Sequence, residues 1–414
     1  MVAVLATALA ACGQRAVTAQ IPVVVGVTHT QYSGTYPSPQ VTAATSLLAA
    51  QSMPQNQYLM GWGVGNPEPS PGVYDWSGLD RRMDLIRQTH GIPVLTLAGA
   101  PDWMKGGQPG TTDWSEINTA PTKSHYGDFA ALAAAAAKRY PQVRYFQVWS
   151  ELKGFYDSGA QRWDYEGYTD LYNAVYDAVR AVRPDAQIGG PYVVLDTWST
   201  RQASPAPSDL SGPWGVVDQR ALDVVDYWNA HKHGAQFLAV DASTGTRDQG
   251  LVTDPFDATA LFTAATDWLV RRTGLPVWWS EFYPRHPQAE DWPVDSPQLA
   301  ALTVDAVARA YAGGAAATLL WQPEDSPDLP FAALWTAPTD SDPAHLLPLA
   351  SMWQWLAVNL RHPDATVSWS AGDRSVTIVN KDQALTVNLT GRDLSTGGPG
   401  PSLPAYGSAI TPRP

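Results

Sequence analysis

Two stretches, Arg144–Glu151 (RYFQVWSE) and Leu275–Glu281 (LPVWWSE), share one pattern. Each is a short apolar run that reads as a β-strand, each ends Trp-Ser-Glu, and aromatic residues follow both, in Gly154-Phe155-Tyr156 and in Phe282-Tyr283. A carboxylate at the end of so apolar a strand costs free energy unless the chain uses it there. Two such ends, far apart in sequence, point to one pocket built from Glu151 and Glu281.

Further strand-like runs flank these two. With Pro22–Val27, Tyr58–Trp62, Pro93–Ala98, Ala186–Pro191, Gln236–Asp241 and Ala317–Trp321 they make eight. Amphipathic or Ala-rich helical segments lie between them, among them Leu79–Thr89, Tyr126–Arg139, Tyr165–Val182 and Gln298–Ala312. Strand and helix in regular alternation predict an α/β fold, a (β/α)8 barrel. A doubly wound sheet would carry a Gly-rich phosphate loop after the first strand, and VGVTHTQYSG holds none. Near Ser368 the pattern changes to strict alternation: Thr366–Trp369, Ser375–Asn380 and Ala384–Leu389 predict a small antiparallel β appendage. The Pro/Gly-rich Gly397–Pro414 predicts a loose tail. The expected division is therefore 1–20 signal and linker, 21–360 barrel, and 361–414 β appendage and tail.

The 414 residues suffice for a large core, and a net charge of −13 with no Lys/Arg run argues against nucleic acid as a partner. The 18 Trp and 17 Tyr suit clefts in which sugar rings stack on aromatic faces, although core packing claims most such residues. Cys12 is the single cysteine, so no intramolecular disulfide or Cys-based zinc site can form. It closes the apolar VAVLATALAAC, whose Leu9-Ala10-Ala11-Cys12 resembles the lipobox of bacterial lipoproteins. The expectation is a secreted protein, lipidated at Cys12 and held to the outer face of a bacterial membrane by that anchor alone.

In a barrel the strand C-termini converge on one face, where strands four and seven lie across the mouth from each other. Two carboxylates so placed are the minimum equipment for hydrolysing a glycosidic bond. One must be protonated to assist the leaving group and the other ionised to attack, so their surroundings must push their pKa values apart. Neither metal nor cofactor is expected, and no G-x-S-x-G elbow occurs.

Several stretches resemble the clan A retaining glycosidases, and most closely glycoside hydrolase family 39. They are Asn66–Asp80 (NPEPSPGVYDWSGLD), Leu97–Met104 (LAGAPDWM), Tyr126–Glu151, Tyr165–Pro191 with its Gly-Gly-Pro, Leu275–Phe282 and Leu319–Gln322. In order and spacing they cover about residues 22–360. The resemblance implies that Glu151 is the general acid/base, Glu281 the nucleophile, and Trp321 the platform under the sugar at the cleavage site. Three departures accompany it. Ser150 stands where the clan has an Asn that bonds the sugar 2-hydroxyl. No counterpart of the clan's strand-two Arg is visible in 58–62, and Val240-Asp241-Ala242-Ser243 replaces a His-Tyr pattern. The catalytic pair is kept while the sugar contacts are rewritten, which argues against assuming a xyloside substrate.

Asp102, Trp103, Tyr192, Tyr283 and Glu324 follow strands and are candidates for lining the cleft, as is His29. His231 and His233 fit a solvated loop, and Glu68 and Asp75 a turn. The expected function is retaining hydrolysis of a poly- or oligosaccharide at the cell surface. The alternatives are a transglycosylase on the same site and a carbohydrate-binding lipoprotein that has lost catalysis.

Overall fold

The computed structural model describes residues 24–31, 33, 45, 46, 48–50, 52–284, 293–325, 332–337, 344–370, 374–395 and 402–413. Cys12 and Pro22 lie outside them. Eight parallel strands close into a barrel: β1 Val24–Thr28, β2 Pro54–Tyr58, β3 Ile92–Leu97, β4 Tyr145–Val148, β5 Gln187–Val194, β6 Phe237–Asp241, β7 Val277–Trp279 and β8 Ala315–Trp321. Closure comes from β1 on β8, in register from Val24↔Ala317 to Thr28↔Trp321.

The expected strands fall in place with one correction. The second is Pro54–Tyr58, four residues before the apolar Tyr58–Trp62. In the polar PQNQY, the side chains of Gln55 and Asn56 pair inside the protein. Gln55 reaches Thr89 (2.9 Å) and His29 (3.0 Å), while Asn56 accepts from Thr96 Oγ1 (2.8 Å) and donates to Thr28 Oγ1 (3.3 Å). Gln147 Nε2 donates to Thr96 (3.1 Å), and Ser280 donates to Gln147. Thr28, Asn56, Thr96, Gln147 and Ser280 thus form a polar belt across the barrel, where satisfied hydrogen bonds make burial tolerable. Another interior cluster is apolar, built on Val94, Phe237, Ala239, Trp278 and Ala317, with the Phe237 and Trp278 rings stacked at 4.3 Å.

Outside the barrel, the helices Tyr126–Arg139 and Tyr165–Val182 match their expected bounds. Small residues let the layers approach. A Cβ on Gly190 would lie 2.8 Å from Tyr168 Oη and 2.9 Å from the Tyr172 ring. Two insertions rise at the strand C-termini: a hairpin of Tyr156–Asp157 with Arg162–Trp163, and a three-stranded sheet of Thr197–Trp198, Pro207–Gly212 and Gly215–Asp218.

The C-terminal sheet runs β9 Thr366–Ser370, β10 Ser375–Val379, β11 Gln383–Asn388 and β12 Ser408–Pro412, antiparallel in sequence order. Ser408–Pro412 corrects the expected loose tail: its backbone pairs with β11, from Gln383↔Pro412 to Val387↔Ser408. The sheet is tied to the barrel helix Pro297–Ala312 through Trp369, whose Nε1 donates to buried Asp305 (2.6 Å) beneath the Arg309 guanidinium.

Candidate active site

Beyond β4 the backbone turns sharply, with Trp149, Glu151 and Leu152 at φ of 68°, 51° and 47°. Each left-handed L-residue costs about 1–2 kcal/mol. Packing offsets this: the Trp149 ring is buried between Phe129 and Phe155, and its Nε1 donates to Lys153 O (2.7 Å). The turn lifts Glu151 out of the strand line and places Lys153 Nζ 2.7 Å from its carboxylate. Lys153 also lies 5.4 Å over the Trp62 ring.

Across the mouth, the segment after β7 is pinned to the end of β6 by Ser280 N to Val240 O and Tyr283 N to Ala242 O, both 2.9 Å. Glu281 is 2 % exposed. Its carboxylate accepts from Tyr58 Oη (3.0 Å) and, by shorter contacts, from Tyr192 and Tyr283. Tyr192 is aimed by a bulge. Pairing of β6 with β5 jumps from Ala239↔Pro191 to Val240↔Val193, and Tyr192 (φ 53°) is left over to point into the mouth. Tyr58, at the end of the corrected β2, is thus a donor to Glu281 that the sequence reading did not single out.

A third carboxylate, Asp241 at the end of β6, completes the cluster. One oxygen from each of Glu151, Asp241 and Glu281 lies within 4.8 Å of the others. At that spacing two full charges repel by about 3.5 kcal/mol even at an effective dielectric of ~20, so the three cannot all be ionised cheaply. Burial and the charge of Glu151 push Glu281 up to about 7, against the opposing pull of Lys153 and the tyrosine hydroxyls. Burial and both neighbouring carboxylates push Asp241 well above the ordinary range. Burial also raises Glu151, but Lys153 and hydrogen bonds to Asp241 and Glu281 outweigh it and hold this carboxyl below its usual value. These three carboxylates are also the group, among the described residues, whose ligand atoms converge enough for a metal ion. Lys153 already supplies positive charge there.

Glu151 and Asp241 open into a cleft of about 750 Å3, a volume typical of ligand sites, lined also by Lys153 and Tyr283 and by Trp163, Asp196 and Arg247, with Glu281 behind Tyr283. It adjoins a cavity of about 410 Å3 with Tyr156, Trp163 and Trp198 in its wall. Both insertions therefore shape the cleft.

The remaining candidates are dispersed. Trp321 stands edge-on to Tyr58 at 6.1 Å, with a cis peptide to Gln322. Ser150 Oγ is buried beside Tyr58. Trp103 donates to Glu68 O (2.9 Å), and Asp102 accepts from Asp113 N (2.5 Å) and faces Lys105 (3.4 Å). His29 and Glu324 belong to a separate buried group with Ser33, Thr30 and Arg82. There burial pushes Glu324 up to about 7 and lowers His29 to about 4. Sequence reading missed Asp241 and Lys153 as members of the site. The signal for Asp241 was available: FLAVD also ends an apolar strand in a carboxylate.

The chain is similar in fold, over most of its length, to solved glycoside hydrolases, among them family 39 enzymes. A monomeric β-xylosidase from Caulobacter crescentus CB15 superposes with a TM-score of 0.58 at 16 % identity, covering 91 % of this chain and 75 % of that one. The family 39 enzyme from Xanthomonas axonopodis pv. citri gives 0.59 at 16 %, over 92 % and 72 %. A family 39 glycoside hydrolase from Bacteroides cellulosilyticus WH2 gives 0.57 at 15 %, over 95 % and 79 %. At such identities the likeness is one of fold. No protein-family model matches the sequence, and no curated protein does.

Proposed function

We propose that this protein is a retaining glycoside hydrolase acting by double displacement on a poly- or oligosaccharide, with Glu281 as nucleophile and Glu151 as acid/base. The observation that carries the reading is the approach of the two carboxyls within 4.8 Å, with three tyrosine hydroxyls donating to Glu281. Inverting enzymes hold their carboxyls about 6.5–9.5 Å apart to seat a water, whereas retaining ones bring them to about 5–5.5 Å. Hydroxyl donors favour the ionised form that a nucleophile needs. The glycosidase fold of the structural neighbours supports the same class.

A screen with aryl 2-deoxy-2-fluoro glycosides tests it. A slow inactivator should leave one sugar mass on the peptide bearing Glu281, read by mass spectrometry. Turnover by the wild type with no label at Glu281 under any inactivator overturns the assignment.

We also propose that Cys12 is lipidated and holds the enzyme at the cell surface, on the Leu-Ala-Ala-Cys sequence and the apolar run before it. Cys12→Ser should move the protein from the membrane fraction into the medium. A wild-type protein already free in the medium, with its N-terminus elsewhere, ends that idea.

A further inference from the structure

A general acid must arrive protonated at the leaving group, yet Glu151 is in a 2.7 Å ion pair with Lys153. Something beside it must hold the proton. We propose that Asp241 is the proton store of this site, passing its proton to Glu151 as Glu151 protonates the departing glycosidic oxygen, and recovering it in the second step. This rests on the retaining reading above.

The geometry singles out Asp241. It is 2 % exposed, its carboxyl is in hydrogen-bonding contact with Glu151, and it lines the cleft. Its Oδ1 has no hydrogen-bond partner among the described residues, and the side-chain hydrogen bond its carboxyl makes is with Glu151. The groups facing it are Glu151 and Lys153 from the turn after β4, Tyr192 from β5, and Glu281 and Tyr283 from the β7 segment. Of the three carboxyls, Glu281 takes hydroxyl donors that favour its anion, and Glu151 has the lysine. Lys153 also acts on Asp241, but burial and the two like charges outweigh it and favour the neutral form.

The steps balance. The glycosidic C–O bond breaks as Glu281 attacks the anomeric carbon. The leaving oxygen takes a proton from Glu151, which takes the proton of Asp241, and the products are an alcohol, a glycosyl ester on Glu281 and an Asp241 carboxylate. Water then attacks the ester, its proton passes through Glu151 back to Asp241, and the sugar leaves with Glu281 free.

The test uses the whole protein and its Asp241→Asn variant, with phenyl and 2,4-dinitrophenyl glycosides of whichever sugar the wild type cleaves. The variant should lose about 100-fold or more of kcat/KM on the phenyl glycoside and only a few-fold on the dinitrophenyl one, which needs no proton. Its alkaline limb should move to lower pH, because Glu151 then faces Lys153 without the store. Equal losses on both substrates with an unmoved limb would make Asp241 a sugar-binding or structural residue and overturn the proposal, as would no loss at all. A second measurement is independent of turnover: infrared difference spectra at pH 7 should show a protonated-carboxyl band that Asp241→Asn removes. Absence of that band in the wild type refutes the store even if Glu281 is labelled, whereas a band without any labelling of Glu281 faults the glycosidase reading instead.

Discussion

At the residue scale, the two glutamates carry separable demands. As the proposed nucleophile Glu281 would act in both chemical steps, so Glu281→Gln should abolish turnover on every substrate. Glu151→Ala should slow poor leaving groups by about 100-fold or more while sparing activated ones, because protonation matters in proportion to leaving-group basicity. Added azide should then resolve the intermediate of Glu151→Ala into a glycosyl azide that keeps the substrate's anomeric configuration. The opposite anomer, measured by NMR, would reverse the two roles. Tyr192 supports Glu281 with a short hydroxyl contact. Removing a donor from a carboxylate raises its pKa, so Tyr192→Phe should shift the acid limb of kcat/KM to higher pH and cut kcat about 10-fold. An unmoved limb would mean that Tyr58 and Tyr283 suffice.

At the scale of elements, the site depends on how strands end. The left-handed turn after β4 and the bulge that frees Tyr192 in β5 are local departures from regular structure, and each aims a side chain into the mouth. Close packing of β5 against the helix Tyr165–Val182 leaves no space for a Cβ at Gly190, where Tyr168 Oη and the Tyr172 ring would lie at 2.8 and 2.9 Å. Overpacking of this kind costs about 1–3 kcal/mol. Gly190→Ala should therefore lower the urea midpoint with an unchanged m-value, and it should reduce activity because β5 also carries Tyr192. A wild-type midpoint would show that the helix yields without cost.

At the scale of the whole molecule, buried charges make stability depend on pH. Glu324 titrates near 7 in the fold against 4.5 for a free side chain, so the folded state holds the extra proton between those values. Stability attributable to Glu324 is complete below about 4.5 and falls as pH rises to about 7, a loss on the order of 3 kcal/mol. His29 acts with the opposite sign: lowered to about 4, it withdraws stability as pH drops from 6.5 toward 4. Glu324→Gln should narrow or reverse the drop in Tm between pH 5 and pH 8, followed by thermal melts. An unchanged difference would show that Glu324 ionises freely in the folded protein.

Local pattern was enough to determine the barrel and to point to the two strand-end glutamates. Apolar strands and amphipathic helices are period-2 and period-3.6 signals written in neighbouring residues, and a carboxylate ending an apolar run is conspicuous without any neighbour. The helix bounds Tyr126–Arg139 and Tyr165–Val182 were legible for that reason. What depended on tertiary structure was decided by partners remote in sequence. In PQNQY the amides of Gln55 and Asn56 are satisfied by Thr28, Thr89 and Thr96, and Ser408–Pro412 forms a strand because β11 offers it an edge. Asp241 and Lys153 joined the site only when the barrel closed. FLAVD carries the same strand-end signal as the two glutamates, and Lys153 stands two residues from Glu151, but the approach of Asp241 to Glu151 and Glu281, and the turn that brings Lys153 Nζ onto Glu151, are set by the closed barrel and not by local pattern.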